Sequence, residues 1–212
     1  MSEPALLEAW RGTCEALGLR DGAGQDLTLG RALIAAWSEP QRHYHALQHL
    51  EECLAALDRW RHLAQSPELL ALALWFHDAV YDPQARDNEA RSAAWARQSL
   101  PALGLPADQA ERVAQLVLAT QDHRATDPDM GLLLDLDLAV LAAPAARYAE
   151  YERQIRAEYA FVPEPDFRAG RHRILAGFLA RPRLFVTDAL HAAWDAPARA
   201  HLRQACAALA LP

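Results

Sequence analysis

The chain contains the segment Leu69-Leu70-Ala71-Leu72-Ala73-Leu74-Trp75-Phe76-His77-Asp78, in which eight apolar residues precede an imidazole and a carboxylate. Two ionisable side chains directly after so apolar a run are expected to be partly desolvated, and buried charge is tolerated when it is paired or bound to a metal. His77 would suit a helix C-terminus, but the helix dipole there repels the anionic Asp78. Together the two side chains form an N,O donor pair that suits a divalent cation.

Helix-forming residues dominate on both sides of this segment, and Val, Ile and Thr are scarce. Leu50, Leu54 and Leu57 follow a three-to-four spacing, which buries one face of a helix. We therefore predict an all-α helical bundle that forms one domain over residues 1–212, with extra helices at both ends. The predicted helices lie near residues 4–18, 27–38, 46–63, 67–79, 88–100, 107–121, 130–141, 145–159, 166–180 and 189–210.

Composition excludes several classes of protein. The 21 basic residues are all Arg, so a P-loop and a Schiff-base or pyridoxal phosphate site, which need Lys, are ruled out. The net charge of −7 argues against binding to nucleic acid polymers. The longest apolar run, Leu69–Phe76, is far shorter than the roughly 20 residues of a membrane span. Because Met1-Ser2-Glu3-Pro4 is acidic where a signal peptide would be basic, we expect a cytoplasmic protein without membrane partners.

Histidines crowd the segment Arg42-His43-Tyr44-His45-Ala46-Leu47-Gln48-His49. His45 and His49 are four residues apart, so on a helix they would share one face. Both imidazoles could reach one metal, or one could bind the metal while the other moves protons. The alternative is a polar start of a helix.

Two carboxylates, Asp135 and Asp137, interrupt the leucine-rich run 132–141. Aspartate in such a run requires an explanation, which is either a helix N-cap or a metal ligand. Because residues two apart on a helix point in different directions, we expect only one of them to reach a shared site.

The order of these fragments resembles the HD superfamily of metal-dependent phosphohydrolases, and in particular its small bacterial branch. That superfamily has a His, then a His-Asp doublet, then a distant Asp, on an all-helical fold. The resemblance covers most of the chain. It rests on Arg42-x-Tyr44-His45-x-x-x-His49, Phe76-His77-Asp78-x-x-Tyr81-Asp82, Asp87-Asn88-Glu89-x-x-Ser92, Thr120-x-x-His123, Asp135-Leu136-Asp137-Leu138, Tyr148-x-x-Tyr151 and Arg156-x-Glu158-Tyr159.

The resemblance implies a divalent metal ion (Mn, Mg, Fe, Co, Ni or Zn) bound by His49, His77, Asp78 and Asp137, within an HD-type metal-binding core at about 40–141. Asp137 is preferred to Asp135 because the family's last Asp directly precedes a residue like Leu138. Tyr44-His45-x-x-x-His49 is also similar to an element of class I cyclic-nucleotide phosphodiesterases, which makes His45 the proton donor, and we place Asp78 with it in the catalytic group. Those enzymes usually have Asn where this chain has Ala46, which leaves open what supports His45.

Four further residues are candidates for substrate binding. The guanidinium of Arg42 has the geometry of a phosphate clamp, although a surface salt bridge is the usual alternative. Asn88 and Ser92 either face the metal or belong to a helix start capped by Asp87. His123 either joins the site, as substrate contact or second-metal ligand, or only ends a helix. Asp82 and Asp135 are expected to orient the metal ligands by hydrogen bonds to them, without contacting the metal.

The expected function is hydrolysis of a phosphate ester in a small phosphorylated substrate, with nucleotides or related metabolites as the first candidates. Three alternatives stay open. They are a metal- or nucleotide-binding sensor without turnover, a di-iron oxygenase, and a purely structural helical protein that binds no metal. The chain is expected to act as a monomer or a homodimer.

Overall fold

Ten α-helices are present in residues 3–19 and 24–210, the part of the chain that this computed structural model describes. No strand occurs in these ranges, so the predicted all-α class is confirmed. Residues 1, 2, 20–23, 211 and 212 of the predicted domain lie outside the described ranges. The helices are α1 (Glu3–Ala16), α2 (Gln25–Trp37), α3 (Leu47–Trp60), α4 (Pro67–Phe76), α5 (Asn88–Ser99), α6 (Ala107–Ala119), α7 (Pro128–Asp137), α8 (Ala145–Glu158), α9 (Glu164–Ala180) and α10 (Asp188–Ala210).

Helix α4 is the centre of the bundle. Every residue from Leu70 to Phe76 is buried, as expected of a helix that is apolar on all sides. Helices α1, α3, α5, α6 and α7 pack around it. The indole Nε1 of Trp37 donates a 2.9 Å hydrogen bond to the Trp75 carbonyl, and Trp10 meets the Trp75 ring edge-on. The end of α4 is therefore fixed by packing on several sides.

The predicted and observed helix ends differ at α3, α4 and α7, and the predicted helix 67–79 ends at Phe76. The predicted helix 46–63 ends as an α-helix at Trp60 and continues as the 3₁₀ turn Arg61–Leu63. The predicted helix 130–141 begins earlier, at Pro128, because the Asp127 carboxylate caps it by accepting a hydrogen bond from the Met130 N–H. It ends at Asp137, and Leu138–Ala142 follows as a 3₁₀ segment.

Three helix ends meet on one side of the bundle. These are the first turn of α3, the C-terminus of α4 and the C-terminus of α7. Helices α8 and α10 pack on the 3₁₀ segment Leu138–Ala142, and α10 also packs along α9. Among the described residues, every helix is too short or too polar to span a membrane.

Candidate metal centre

His49 lies in the first turn of α3, where its imidazole is buried. The ring is held between aromatic side chains, with centroids 4.7 Å from Tyr44 and 6.2 Å from Trp37. Because packing restricts the ring, its Nε2 has a defined direction, toward the end of α4.

His77 caps the C-terminus of α4 and is also buried. Its Nδ1 lies 2.8 Å from the Leu74 carbonyl oxygen. A carbonyl only accepts, so Nδ1 carries the proton of this bond, and in the neutral ring Nε2 then has a free lone pair. That hydrogen bond is typical of a histidine prepared for metal binding.

Three side chains beyond His49 meet at the same point. His49 Nε2 lies 3.1 Å from His77 Nε2 and 3.1 Å from Asp137 Oδ1. Asp78 Oδ2 lies 3.3 Å from His77 Nε2 and 3.8 Å from His49 Nε2. The four residues taken from the family resemblance as ligands therefore lie together, although they come from three separate helix ends.

Asp135 and Asp137 point in different directions, as their spacing predicts. The Asp135 carboxylate is buried on the far side of α7, where it accepts 2.7 Å hydrogen bonds from the N–H groups of Val186 and Thr187. It fixes the start of α10 and contacts none of the four ligand residues. Asp137 alone reaches the cluster.

Cys53 is a donor that the sequence did not single out. It lies one helical turn after His49, and its Sγ is 3.6 Å from His49 Nδ1. His49, Cys53, His77 and Asp137 each place a donor atom within 4.8 Å of the others. The thiol of Cys53 also points to the Leu136 carbonyl, 3.7 Å away, and burial raises its pKa well above the usual value. In the sequence, the spacing of four residues between His49 and Cys53 was the signal that could have identified Cys53 as a neighbour of His49.

Charge and donor type both fit a divalent cation. Asp78 and Asp137 stand at helix C-termini, where the dipole disfavours anions and favours cations. Burial opposes the charge on His77, but the carboxylates of Asp78 and Asp137 raise its pKa to about 9. Burial would raise the pKa of Asp137, but the imidazoles of His123, His49 and His77 hold it well below its usual value. The cluster thus holds positive charge, as a proton or as a metal ion in its place.

His45 is held next to the cluster by Glu158, the last residue of α8. His45 Nδ1 lies 2.7 Å from Glu158 Oε2, and the other oxygen accepts 2.8 Å hydrogen bonds from the N–H groups of His43, Tyr44 and His45. The Tyr81 hydroxyl donates to Oε2 at 3.0 Å, and the Tyr81 and His45 rings stack 4.1 Å apart. Ala46 cannot support His45 as the Asn that is usual at this position would, and Glu158 supports it instead.

Each partner of this pair favours the charged form of the other. Burial opposes protonation of His45, but its hydrogen bond to Glu158 and the nearby carboxylates raise its pKa. Burial likewise opposes ionisation of Glu158, but hydrogen bonds from His45 and the backbone lower its pKa to about 2. Glu158 appeared only within the quoted family pattern, because a partner 113 residues away leaves no local signal.

His123 follows α6 in a left-handed backbone conformation, with φ of 53°. Its Nε2 lies 3.3 Å from Asp137 Oδ2, the carboxylate oxygen that faces away from His49. His123 thus extends the cluster on its open side, as one of the two readings of this residue predicted.

Arg42 is buried and its guanidinium is already occupied. Four of its five N–H groups donate, to the Glu39 carboxylate and to the carbonyls of His45, Asp78 and Ala79. Little remains to clamp a phosphate. Instead, Arg42 ties the loop that carries His45 to the doublet at the end of α4.

Asn88, Ser92 and Asp82 form a structural turn instead of facing the cluster. The Asn88 amide bonds the backbone N–H and carbonyl of Asp82, and the Ser92 hydroxyl bonds both groups of Val80. The Asp82 carboxylate accepts from the Gln84 N–H. These contacts shape the chain after Asp78 and give the three residues no contact with a ligand histidine.

A cavity of about 330 Å³ opens next to the cluster. His45, His123 and Asp137 form its inner end, and residues of α8, α9 and the segment 138–142 form its walls. This volume lies in the range of small-molecule sites. A bound molecule would have one end against the metal ligands and the other between α8 and α9.

Comparisons of the chain with protein-family models, with curated proteins and with solved structures find no match.

Proposed function

We propose that the chain is a metal-dependent phosphohydrolase of the HD type that cleaves a phosphate ester. The observation that carries the proposal is that the side chains of His49, His77, Asp78 and Asp137 meet at one point. A cavity opens beside them, and His45, which Glu158 holds in place, lines that cavity. The order His, His-Asp, Asp along the chain supports the HD assignment, as does the all-helical fold.

The four side chains would hold the cation by two imidazole nitrogens and two carboxylates, a mixed donor set that admits Mn, Mg, Fe, Co, Ni or Zn. A bound divalent cation supplies positive charge that activates water and offsets charge on phosphoryl oxygens. Asp78 and Asp137 are each only 15% exposed, so their charges act in a poorly solvated site.

His45 would protonate the leaving oxygen. Its Nδ1 is bound to Glu158, so Nε2 is the atom available to a substrate in the cavity that His45 lines. Glu158 keeps the ring oriented and stabilises its charged form. Since this pair holds a proton above the ordinary pKa of histidine, His45 can act as a general acid at neutral pH.

Metal content and turnover test the proposal together. The purified chain is expected to bind a divalent cation and, with added Mn²⁺, to hydrolyse members of a panel of phosphomonoesters, nucleotides and cyclic nucleotides. Asp78→Ala is expected to lose metal and activity while circular dichroism shows a helical fold. His45→Ala is expected to keep its metal and lose about 10²-fold or more in kcat.

Two results would contradict the proposal. An unchanged metal load in Asp78→Ala would refute the ligand set. Full metal occupancy without turnover of any panel member would refute the hydrolase and favour a metal- or nucleotide-binding sensor.

A di-iron oxygenase is a second candidate, because His123 stands 3.3 Å from the outer oxygen of Asp137 and offers a ligand beyond the four. Two irons per chain by elemental analysis, with loss of one in His123→Ala, would favour it. One ion per chain in both proteins would favour the hydrolase.

A further inference from the structure

The walls of the cavity are mostly apolar. Five aromatic side chains and six aliphatic side chains line it. Its charged and imidazole groups are His45, His123 and Asp137 at the cluster, and Asp166 and Arg171 on α9. The aromatic residues are Tyr44, Tyr151, Tyr159, Phe167 and Phe178. A ligand here would present its polar end to the cluster and its body to rings and branched chains.

The cavity offers little to a second phosphate group. Arg171 is the one basic side chain other than histidine among the lining residues that the structure describes. Its Nη2 lies 2.7 Å from Glu152 Oε1, and its guanidinium lies over the Tyr151 ring. Asp166, also in the lining, adds negative charge. Among the described lining residues outside the proposed metal site, a polyphosphate would find no basic side chain without an acidic partner.

Two arginines that contact lining residues, Arg156 and Arg147, are engaged in the same way. Arg156 stacks on Phe167 and donates to the carbonyls of Tyr159 and Val162 and to Glu164. Arg147 lies over Tyr44 and binds both oxygens of Glu52. These guanidinium groups hold the walls together, and their charges are already balanced.

The outer side of the cavity is apolar as well. Ile174 lines it and is 55% exposed, and Phe161, which is 52% exposed, stacks on the lining residue Tyr159. These are two of the three large hydrophobic side chains that are exposed in the described part of the chain. Exposed apolar groups that gather at one cavity are typical of a ligand-binding entrance.

We infer that the substrate is a phosphate monoester of a compact apolar alcohol, of about the size of one aromatic ring, and not a nucleotide polyphosphate. This inference rests on the proposed function. A dry cavity of about 150 Å³ holds benzene, so about 330 Å³ accommodates one ring together with its phosphoryl group. Most of the lining side chains are apolar, so a nucleotide would bury its sugar hydroxyls with few partners to hydrogen-bond them.

Glycines on α9 provide a matched pair of variants. Gly170 lines the cavity, and a Cβ placed there meets no atom within 4 Å. Gly177 lies on the same helix outside the lining and has equally open surroundings. Gly170→Leu should fill the cavity, whereas Gly177→Leu should change only the helix, so any general effect of leucine on α9 appears in both.

Binding is measured by calorimetry on the metal-loaded chain with benzylphosphonate and methylphosphonate, which cannot be hydrolysed as esters. The wild type is expected to bind benzylphosphonate at least about tenfold more tightly, since it buries one ring. Gly170→Leu is expected to lose this preference and Gly177→Leu to keep it. Equal affinities in the wild type, or a preference unchanged in Gly170→Leu, would overturn the inference.

Turnover separates this inference from the proposed function. With Mn²⁺, kcat/KM for benzyl phosphate is expected to exceed that for a nucleoside monophosphate at least about tenfold. Preference for the nucleotide would overturn the inference and leave the hydrolase intact. Binding preference for benzylphosphonate without hydrolysis of any ester would support the apolar cavity and refute the hydrolase.

Discussion

Glu158 Oε2 and His45 Nδ1 lie 2.7 Å apart, although 113 residues separate them along the chain. The same carboxylate gathers three consecutive backbone N–H groups, from His43 to His45. One side chain at the end of α8 therefore sets both the backbone path into α3 and the charge of the proposed proton donor. Glu158 is a positioning residue in this scheme.

Glu158→Gln is expected to lower kcat and to shift the pH profile of kcat to lower pH. The carboxylate raises the pKa of His45, so without it His45 loses its proton at a lower pH. The rate should fall more at alkaline than at acidic pH, and metal content should not change. An activity loss of equal size at every pH would indicate a structural role only.

Glu158 also makes stability depend on pH. Its pKa falls from an ordinary 4.5 to about 2 in the folded chain. The stabilisation, about 3 kcal/mol at 1.36 kcal/mol per pKa unit, is therefore complete above pH 4.5 and lost as the pH falls toward 2. Urea unfolding of wild type and Glu158→Gln should show a difference that shrinks over this range. The exposed Glu8 provides a control, since Glu8→Gln should change unfolding little at any pH.

Asp137→Asn and Asp135→Asn are expected to have opposite effects, although only two residues separate them. Asp137→Asn removes a donor of the cluster and should lose metal. Asp135→Asn should keep the metal but lower the free energy of unfolding by about 1–3 kcal/mol, because Val186 and Thr187 lose a charged acceptor. Elemental analysis and chemical denaturation measure the two effects. If Asp135→Asn lost its metal and Asp137→Asn kept it, Asp135 and not Asp137 would be the ligand.

Cys53 is expected to remain a neutral thiol beside the cation. Its Sγ is directed to the Leu136 carbonyl, 3.7 Å away, and Asp78 offers a carboxylate to the same two imidazoles. Cys53→Ala should therefore keep its metal. The Co²⁺ form of the wild type should lack the ultraviolet charge-transfer band of a thiolate ligand. A strong band that disappears in Cys53→Ala would make Cys53 the ligand in place of Asp78.

Arg42→Lys is expected to destabilise the fold by about 2–4 kcal/mol, because lysine cannot reach the carbonyls of His45, Asp78 and Ala79 together. Thermal and urea unfolding measure this loss. KM for the phosphate ester should change little in the folded variant. A raised KM at unchanged stability would restore Arg42 as a phosphate clamp.

Local patterns in the sequence predict most of the helices, and the family resemblance names three of the four residues that the structure groups as possible metal ligands. The apolar run before His77 predicts a buried helix, and the two-residue spacing of Asp135 and Asp137 predicts that one of them turns away. Both predictions depend on residues that are neighbours along the chain. The family resemblance then selects Asp137, which the geometry places beside His49.

Contacts between distant segments could not be predicted in this way. Arg42 looks like an anion clamp in sequence, but its carbonyl partners at Asp78 and Ala79 exist only after α4 packs beside the loop. Asn88 and Ser92 likewise bond backbone groups of a turn whose path is set by tertiary packing. Polar residue type alone does not say whether a side chain serves a ligand or the backbone.

The donor cluster and much of the cavity wall belong to different helices, which has a consequence for engineering. The candidate cation donors stand at the ends of α3, α4 and α7, which are anchored in the core, whereas α8 and α9 supply much of the cavity wall. Randomising wall positions such as Ile155 and Phe167 should therefore yield libraries that bind different molecules and keep the donor cluster intact. If the proposed hydrolase is correct, new substrate specificities could then be selected without changing the proposed catalytic residues.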